Sequence, residues 1–503
     1  MPRSTIEPAG SPTSGPSPAG GAPRIYQAGW NLRYTTGSLT ILFTWLLWGD
    51  FAFTFFESIF ARFIPLYLKD LHASNTLIGV MTGSFAGLVN ILFLPNISQW
   101  SDRHRGPWGR RIPFLLVVTP LTVASLVLVG FAPEVSRGLS ALLGLPLSSS
   151  TTVTLSVLCL SVVSYHFFNM VLVNAYNWLL RDVVPLEVMA RFLSWFRIVS
   201  TVASFAFLWW VFPHVLTHRR PVFALLGVSY LGAFLLMCLN VKEGAYLNES
   251  SEEERPGLAK AFALYFREGL SIPLYRNFFI VWVLTVLASA CASPFSTLFA
   301  RQTLGLTLDE MGKIYAWGAV ASALALYPMG WLCDRFSAFR VTLASLACLA
   351  GSLVLAFFLV REKAAFLVYT IVTALPGVAW NLGSLAVTMR LFPENKFGQF
   401  SSGLNVFGCG AMIAGNYFIG LFMDLTHSRY EMTFLWSAAL YALSLWPMLL
   451  VYLEWRRRSG PDGDVLTEPP PSGIPTAPSP SSSCPPSTAS SRSTTTAGIK
   501  NGL

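Results

Sequence analysis

The sequence predicts an all-α membrane protein of twelve transmembrane helices, arranged as two six-helix bundles with both termini cytoplasmic. Three observations predict it. Of 503 residues, 53% are hydrophobic and only 12% charged, about half the charge of an ordinary soluble domain. Apolar runs of the roughly 20 residues needed to cross a bilayer recur along the chain, twelve in all. The basic residues are also unevenly placed about those runs. With both tails on one side, 23 Lys and Arg fall in the loops and tails of that side or, as Arg191 and Arg340, at the run ends beside them, and 8 in those of the other, while Arg62, Arg197 and Lys313 lie within or near the ends of runs. Short loops enriched in Lys and Arg mark the cytoplasmic face.

Taken in order, residues 1–38 open with MPRSTIEPAGSPTSGPSPAGGAP. This Pro-, Gly- and Ser-rich stretch lacks the apolar region of a signal peptide and reads as a disordered cytoplasmic tail. Spans are expected at about 39–68, 75–100, 112–131, 152–180, 188–212, 222–241, 277–300, 310–333, 340–360, 365–389, 398–422 and 431–455. The first six form an N-terminal bundle over 39–241, and the last six a C-terminal bundle over 277–455. Between them a central cytoplasmic loop, 242–276, carries the polar segment NESSEEERPG. Residues 456–503 repeat the low-complexity composition of the first tail and read as a second disordered tail.

Several function classes are excluded. The net charge of +9 is scattered through short loops and forms no stripe that would bind nucleic acid. The seven Cys show neither metal nor disulfide spacing, and Cys159, Cys238, Cys291, Cys333, Cys348 and Cys409 read as packing residues in apolar helices, with Cys484 in the tail. The sequence has no phosphate-binding Gly-x-x-x-x-Gly-Lys-Ser/Thr loop, nucleophile elbow or His-Glu-x-x-His pair, so no enzymatic activity, cofactor or metal is expected.

The two halves echo one another. Ser101-Asp102-Arg103 after span two corresponds to Cys333-Asp334-Arg335 after span eight, and Leu77-Ile78-Gly79 to Glu310-Met311-Gly312. After spans four and ten, Pro185 with Ala190-Arg191-Phe192 corresponds to Pro393 with Gly398-Gln399-Phe400. Two independent echoes indicate a duplicated six-span unit, the layout of a two-bundle transporter.

The loop SQWSDRHRGPWGRRIPF, residues 98–114, crowds Asp102, Arg103, Arg105, Arg110 and Arg111 into one turn. A carboxylate there accepts charge-assisted hydrogen bonds from arginines and can cap a neighbouring helix N-terminus. Such a cluster can hold helices together in one state and release them in another, although a solvated basic loop would carry the same residues. The run resembles the loop signature of the major facilitator superfamily, Gly-x-x-x-Asp-x-x-x-x-x-Gly-Arg-Arg or Lys. Asp102, Gly109, Arg110 and Arg111 fill its later positions with a shift of one residue, and Ser98 replaces the leading Gly. The tighter form, Ser-Asp-Arg followed by Arg-x-Gly-Arg-Arg and Pro-Phe, is similar to the sucrose–proton symporters and their animal sugar-transporter relatives. These belong to the glycoside-pentoside-hexuronide:cation symporter group. Ser101-Asp102-Arg103 and Ile112-Pro113-Phe114 fit, while Pro107 stands in place of the first Arg. The resemblance implies alternating access and a sugar cargo. Asp102, Arg103, Arg110 and Arg111, with Asp334 and Arg335 of the second half, are the expected cytoplasmic gate.

Span one places Asp50 and Glu57 seven residues apart on one helical face, with Thr54 between them. Ionisable groups inside a span cost roughly 2.5–3.5 kcal/mol each on insertion scales and mark ion or proton pathways. Asp50 and Glu57 are therefore proton-coupling candidates, with Arg197 of span five as their expected charge partner. A structural ion pair is the competing reading, and Arg62 and Lys313, near span ends, read as snorkelling.

Span four carries His166, Asn169, Asn174 and Asn177 along one stripe. Amides and imidazole donate and accept without fixed charge, which suits a polyhydroxylated ligand, though Asn is also common as interhelical glue. In the second half, Trp380 and Asn381 beside the Pro376-Gly377 bend, with Asn405 of span eleven, complete the expected binding set. Trp380 could offer a stacking face or merely pack.

Melibiose-type members of the resembled group carry sodium-binding acids in spans two and four. Here span two has none and span four has asparagines, which favours protons over sodium. The expected function is proton-coupled symport of a small polar solute, a sugar or glycoside, by a monomer in the lipid bilayer of the plasma (inner) membrane. An exporter of amphipathic compounds or organic anions is the alternative cargo class, and a transporter-like sensor or scaffold the alternative from another class.

Overall fold

The computed structural model describes residues 25–28, 32–104, 106, 108–144, 146, 150–244, 270–393 and 397–458. Most of the expected tails, Arg105 and the acidic run of the central loop lie outside them. The described residues contain twelve helices long and apolar enough to cross a membrane. Spans one to six are Thr36–Asp70, Asn75–Arg103, Ile112–Gly130, Ser150–Val183, Arg191–His214 and Arg219–Asn240. Spans seven to twelve are Pro273–Thr303, Leu308–Phe336, Ala338–Leu359, Lys363–Leu391, Phe397–Leu425 and Met432–Arg458. Alternation of twelve spans puts Thr36 and Arg458 on one face, called here the tail face; the opposite one is the far face.

Two elements differ from the sequence expectation. Residues 25–28 and 32–35 pair as antiparallel strands, with Ile25 opposite Thr35, inside the segment expected to be a disordered tail. Thr35 then caps span one through a reciprocal pair with Ser38, a capping box that starts the helix three residues earlier than its apolar run does. The second addition is an amphipathic helix, Ala132–Leu143, between spans three and four. Its Glu134 pairs with Arg137 at 3.2 Å and with Arg220 at the start of span six.

Packing follows the two halves. Span three lies against spans four and six, and span one against five and six. In the second half span twelve lies against seven and nine, and span ten against eight and nine. The echoed residues occupy matching places. Phe192, at the tail end of span five, meets Phe43 of span one at 4.9 Å between ring centroids. Phe400, at the tail end of span eleven, meets Tyr275 of span seven at 4.6 Å.

The halves meet along spans two with eleven, five with eight, and one with seven. Two glycines make the closest approaches to backbone of the other half. A Cβ on Gly79 would strike the Asn416 carbonyl oxygen of span eleven, and one on Gly312 would strike the Leu208 carbonyl oxygen of span five. These are the two glycines of the Leu77-Ile78-Gly79 and Glu310-Met311-Gly312 echo. Both crossings lie in the far half of the membrane, because spans two and eight enter from that face.

Gly79→Val and Gly312→Val should therefore block closure of the far face. A cysteine at Ser84, whose hydroxyl is buried and donates to the Ile413 carbonyl of span eleven at 2.7 Å, reports this in a cysteine-free background. Its labelling by an impermeant maleimide from the far side should rise severalfold in either valine variant; unchanged labelling would refute the tight crossings.

Candidate functional site

Asp50 is buried in span one. Its carboxylate accepts from the Ser200 hydroxyl of span five at 2.6 Å and, more weakly, from Thr54 at 3.5 Å. Arg197 lies within electrostatic reach of Asp50 but forms no contact ion pair with it. The expected Asp50–Arg197 bridge is thus replaced by a neutral hydroxyl. Ser200 lies one turn further from the tail face than Arg197, level with Asp50, and the Arg197 side chain is exposed. Glu57 likewise meets only neutral donors: the Tyr165 hydroxyl at 3.1 Å and the Asn169 amide at 3.2 Å, both to one carboxylate oxygen.

The span-four stripe divides. His166 is committed to the Met81 carbonyl of span two at 2.8 Å. Met81 belongs to a π-bulge over Val80–Ser84, where the widened turn frees a carbonyl for an outside donor. His166 therefore ties span four to span two in this conformation. Asn174 turns back to the Met170 carbonyl of its own helix at 2.8 Å, and Asn177 is exposed. In the second half Trp380 is only 8% exposed, so its ring packs and offers no stacking face. Asn381 is exposed with its amide on the Gly377 carbonyl at 2.9 Å. Asn405 is exposed too, accepting a weak contact from Cys409 at 3.8 Å.

Depth gives these exposures a meaning. Asn177, Arg197, Asn381 and Asn405 each lie six to ten residues inside the tail end of their helix, about 9–15 Å from that end at the helical rise. Exposed amides and a guanidinium at that depth need water, not lipid. They sit on spans four and five of one half and ten and eleven of the other. A separate groove of about 310 Å³, bounded by Leu287, Phe418, Phe422, Trp436 and Leu440, is apolar; nothing in it would orient a polar solute, and lipid chains suit it.

The basic loop is built differently from the expected gate. Arg111 donates to Asp102 at 2.6 Å and to the Ser101 hydroxyl at 2.6 Å, and lies over the Trp178 ring at 4.7 Å. Arg110 grips Asp182 of span four at 3.0 and 3.2 Å and reaches Asp102 at 3.7 Å. The N-terminus of span three is capped not by Asp102 but by Glu243, which follows span six. Its carboxylate accepts from the backbone N–H of Arg110, Arg111 and Ile112 at 2.7, 2.8 and 2.6 Å. These partners join spans two, three, four and six of the first half. On the second half Asp334 and Arg335 are exposed, and Arg335 lies over Trp331 at 5.2 Å. Arg103 is exposed as well. The contacts described here staple the first bundle.

The bridge between halves is on the far face, on residues that sequence reasoning missed. Asp424, at the end of span eleven, accepts from the backbone N–H of Asn75 and of Thr76 at 2.9 Å each. It also accepts from the Asn75 amide at 2.9 Å and the Thr76 hydroxyl at 2.6 Å. An acid on one half thus caps a helix of the other. Around it the Asn75 amide donates to Ser428 at 2.8 Å, and its oxygen accepts from Tyr430 at 2.7 Å and Lys69 at 3.2 Å. The available signal was Ser74-Asn75-Thr76, an N-cap cluster at a span start; nothing local pointed to Asp424.

With this geometry established, the family model described as MFS/sugar transport protein matches residues 46–397. The chain belongs to that family. It is a multi-pass membrane transporter of the major facilitator fold, not an enzyme. No curated protein gives a significant match. Three solved structures share the fold. A bacterial homologue of the iron transporter ferroportin, inward-facing, is 17% identical with a TM-score of 0.62, covering 82% of this chain and 98% of that one. A mutant form of the nucleoside transporter NupG is 13% identical with a TM-score of 0.61, covering 82% and 100%. A bacterial homologue of the human lysosomal transporter Spinster, inward-facing and occupied, is 13% identical with a TM-score of 0.60, covering 82% and 96%.

Two outcomes follow. Asp424→Ala should raise far-side labelling of the Ser84 cysteine severalfold, because only the latch is removed; no rise would refute its bridging role. Glu243→Ala should cost about 1–2 kcal/mol, the upper range for a lost helix cap, seen as a lower thermal unfolding midpoint in detergent with far-side labelling unchanged.

Proposed function

We propose that this transporter carries a sugar or glycoside in symport with protons, by alternating access between its two six-helix halves. The observation that carries the reading is the environment of Asp50 and Glu57. Both carboxylates are held by neutral donors, Ser200 and Thr54 for one, Tyr165 and Asn169 for the other. A carboxylate with no contact counter-ion loses little on protonation and gains much when its site closes to water. That is the requirement for a proton-coupling group.

The set of Asn177, Arg197, Asn381 and Asn405 supplies donors and acceptors for hydroxyl groups, and the family description supports a sugar. The Asp424 latch supports a conformation closed at the far face. With the tail face taken as cytoplasmic, as the Lys and Arg distribution favours, this is the inward-open state of a monomer in the plasma membrane. In the outward-open state Asp334 and Arg335 would approach the Asp102–Arg111 cluster. Protons rather than sodium are favoured, since the apolar run of span two carries no acid and that of span four carries asparagines where melibiose-type members hold sodium.

The test is uptake of labelled mono- and disaccharides into proteoliposomes under an imposed pH gradient. Wild type should accumulate sugar; Asp50→Asn should lower accumulation by at least about tenfold, or 1.4 kcal/mol, while retaining counterflow exchange. Glu57→Gln should give a smaller loss. Accumulation that survives in Asp50→Asn would remove Asp50 from coupling.

A further inference from the structure

Spans nine and twelve pack side by side in the second half, and each turns one face outward. On span nine the exposed positions recur every three or four residues, from Ala344 through Ala347 and Gly351 to Leu355 and Phe358, and every exposed residue between 344 and 359 is apolar. On span twelve the same holds between Leu435 and Leu453. An exposed apolar surface of this length on a transmembrane helix faces lipid chains.

Both faces end in arginine at the tail side. Arg340 stands at the head of the exposed face of span nine, and Arg456 at the foot of that of span twelve, each side chain exposed. Two contacts hold these ends together. Phe339 stacks on Trp455 at 4.3 Å between ring centroids, and Arg340 Nε donates to the Tyr452 hydroxyl at 3.1 Å. Arg456 lies one turn beyond Tyr452 on the same side of its helix. Among the described residues neither Arg340 nor Arg456 meets a carboxylate. The acid between them in the chain, Glu454, is engaged by Arg458 at 2.6 Å and by Arg457 at 4.0 Å.

The duplication supplies a comparison within the molecule. In the first half the residue that follows span six, Glu243, places its carboxylate on the first N–H groups of span three. In the second half the corresponding span nine begins at Ser337 with no side-chain cap, and the Ser337 hydroxyl is buried without a partner among the described residues. The end of span twelve brings arginine to the place where the end of span six brings an acid. An oxyanion that satisfied the helix start would therefore also be held by guanidinium groups, which suit phosphate geometry.

We infer that the tail ends of spans nine and twelve bind the headgroup phosphate of an anionic phospholipid from the leaflet on that side. Arg340 and Arg456 hold the phosphate from two helices, with Tyr452 fixing the Arg340 guanidinium. The acyl chains run along the apolar faces below. Room for one is provided on span nine, where Ala344, Ala347 and Gly351 are small and a Cβ on Gly351 would meet nothing within 4 Å. Basic groups between helix ends on the cytoplasmic side select anionic headgroups, whereas a zwitterionic headgroup brings its own cation to the same arginines. The site is independent of the cargo and of the coupling ion.

The experiment follows the thermal unfolding midpoint of the full chain in dodecyl maltoside micelles doped with phosphatidylglycerol, the total lipid being kept constant with phosphatidylcholine. The wild-type midpoint should rise with the phosphatidylglycerol fraction and saturate. Arg340→Gln and Arg456→Gln should each raise the half-saturating fraction about fivefold, and the double variant about twenty-five-fold. Arg361→Gln, the same loss of charge beyond the opposite end of span nine, should leave it unchanged. Arg456→Gln breaks no described contact, so it tests the site even where loss of the Tyr452 bond destabilises Arg340→Gln. A phosphatidylglycerol response that persists undiminished in Arg456→Gln and in the double variant would overturn the inference. So would an equal response to phosphatidylcholine alone, and so would an equal response to inorganic phosphate at matched concentration, which would indicate a free anion in place of a lipid.

Discussion

The closed face of this transporter hangs on one carboxylate at the open end of one helix. The first turn of span two leaves backbone N–H groups without partners inside the helix. Asp424 reaches across from span eleven and takes the N–H groups of Asn75 and Thr76 together with both side chains. Because the acid and the helix belong to different halves, satisfying the helix end and closing the far face are one event. At the membrane surface water can replace Asp424 on the same donors. Exchange of this kind costs little net free energy, as hydrogen bonds to protein and to water are nearly balanced. The latch is therefore specific in geometry and reversible in energy, which a gate that must open requires. Gly79 and Gly312 extend the closure inward by letting backbones touch where any side chain would hold the halves apart.

The tail face obeys the opposite logic. Its strongest charge cluster, Asp102, Arg110, Arg111, Asp182 and Glu243, ties spans of the first half together. The corresponding Asp334 and Arg335 are left in water. The first bundle keeps its internal staple whichever way the halves tilt, while the opening between them stays hydrated. Behind that water Asp50 and Glu57 are held by hydroxyls, a phenol and an amide, so either can change charge without breaking an ion pair. Charge is concentrated in span one, where Asp50 and Glu57 face their own half and Arg62 lies over Tyr315 of the other.

Much of the fold was legible in the sequence, and the site was legible only in part. Every apolar run proved to be a helix, because lipid forces each span to satisfy its backbone internally. The glycine echo of Gly79 and Gly312 was visible as a repeat, though its purpose, two symmetric crossings between halves, was not. Asp50 and Glu57 stood out because acids are expensive inside spans. His166, Asn174 and Trp380 looked like ligand groups, but packing and helix carbonyls take them: a polar or aromatic residue in a span carries no local mark of whether it bonds to a neighbour or to a solute. Asp182, Glu243 and Asp424 were overlooked because each is an ordinary acid near a span end, and its partner lies on a distant helix.

What the sequence alone determined is the number of spans, their near ends, the duplication and the placement of costly charge. All of these follow from short-range periodicity and from the price of polarity in lipid. Only the tertiary structure decided which face is shut, which helix ends are capped by acids from elsewhere, and which polar side chains face water. Those outcomes depend on contacts between residues up to about 350 positions apart, as between Asn75 and Asp424, and no local pattern encodes which of the many possible partners will meet.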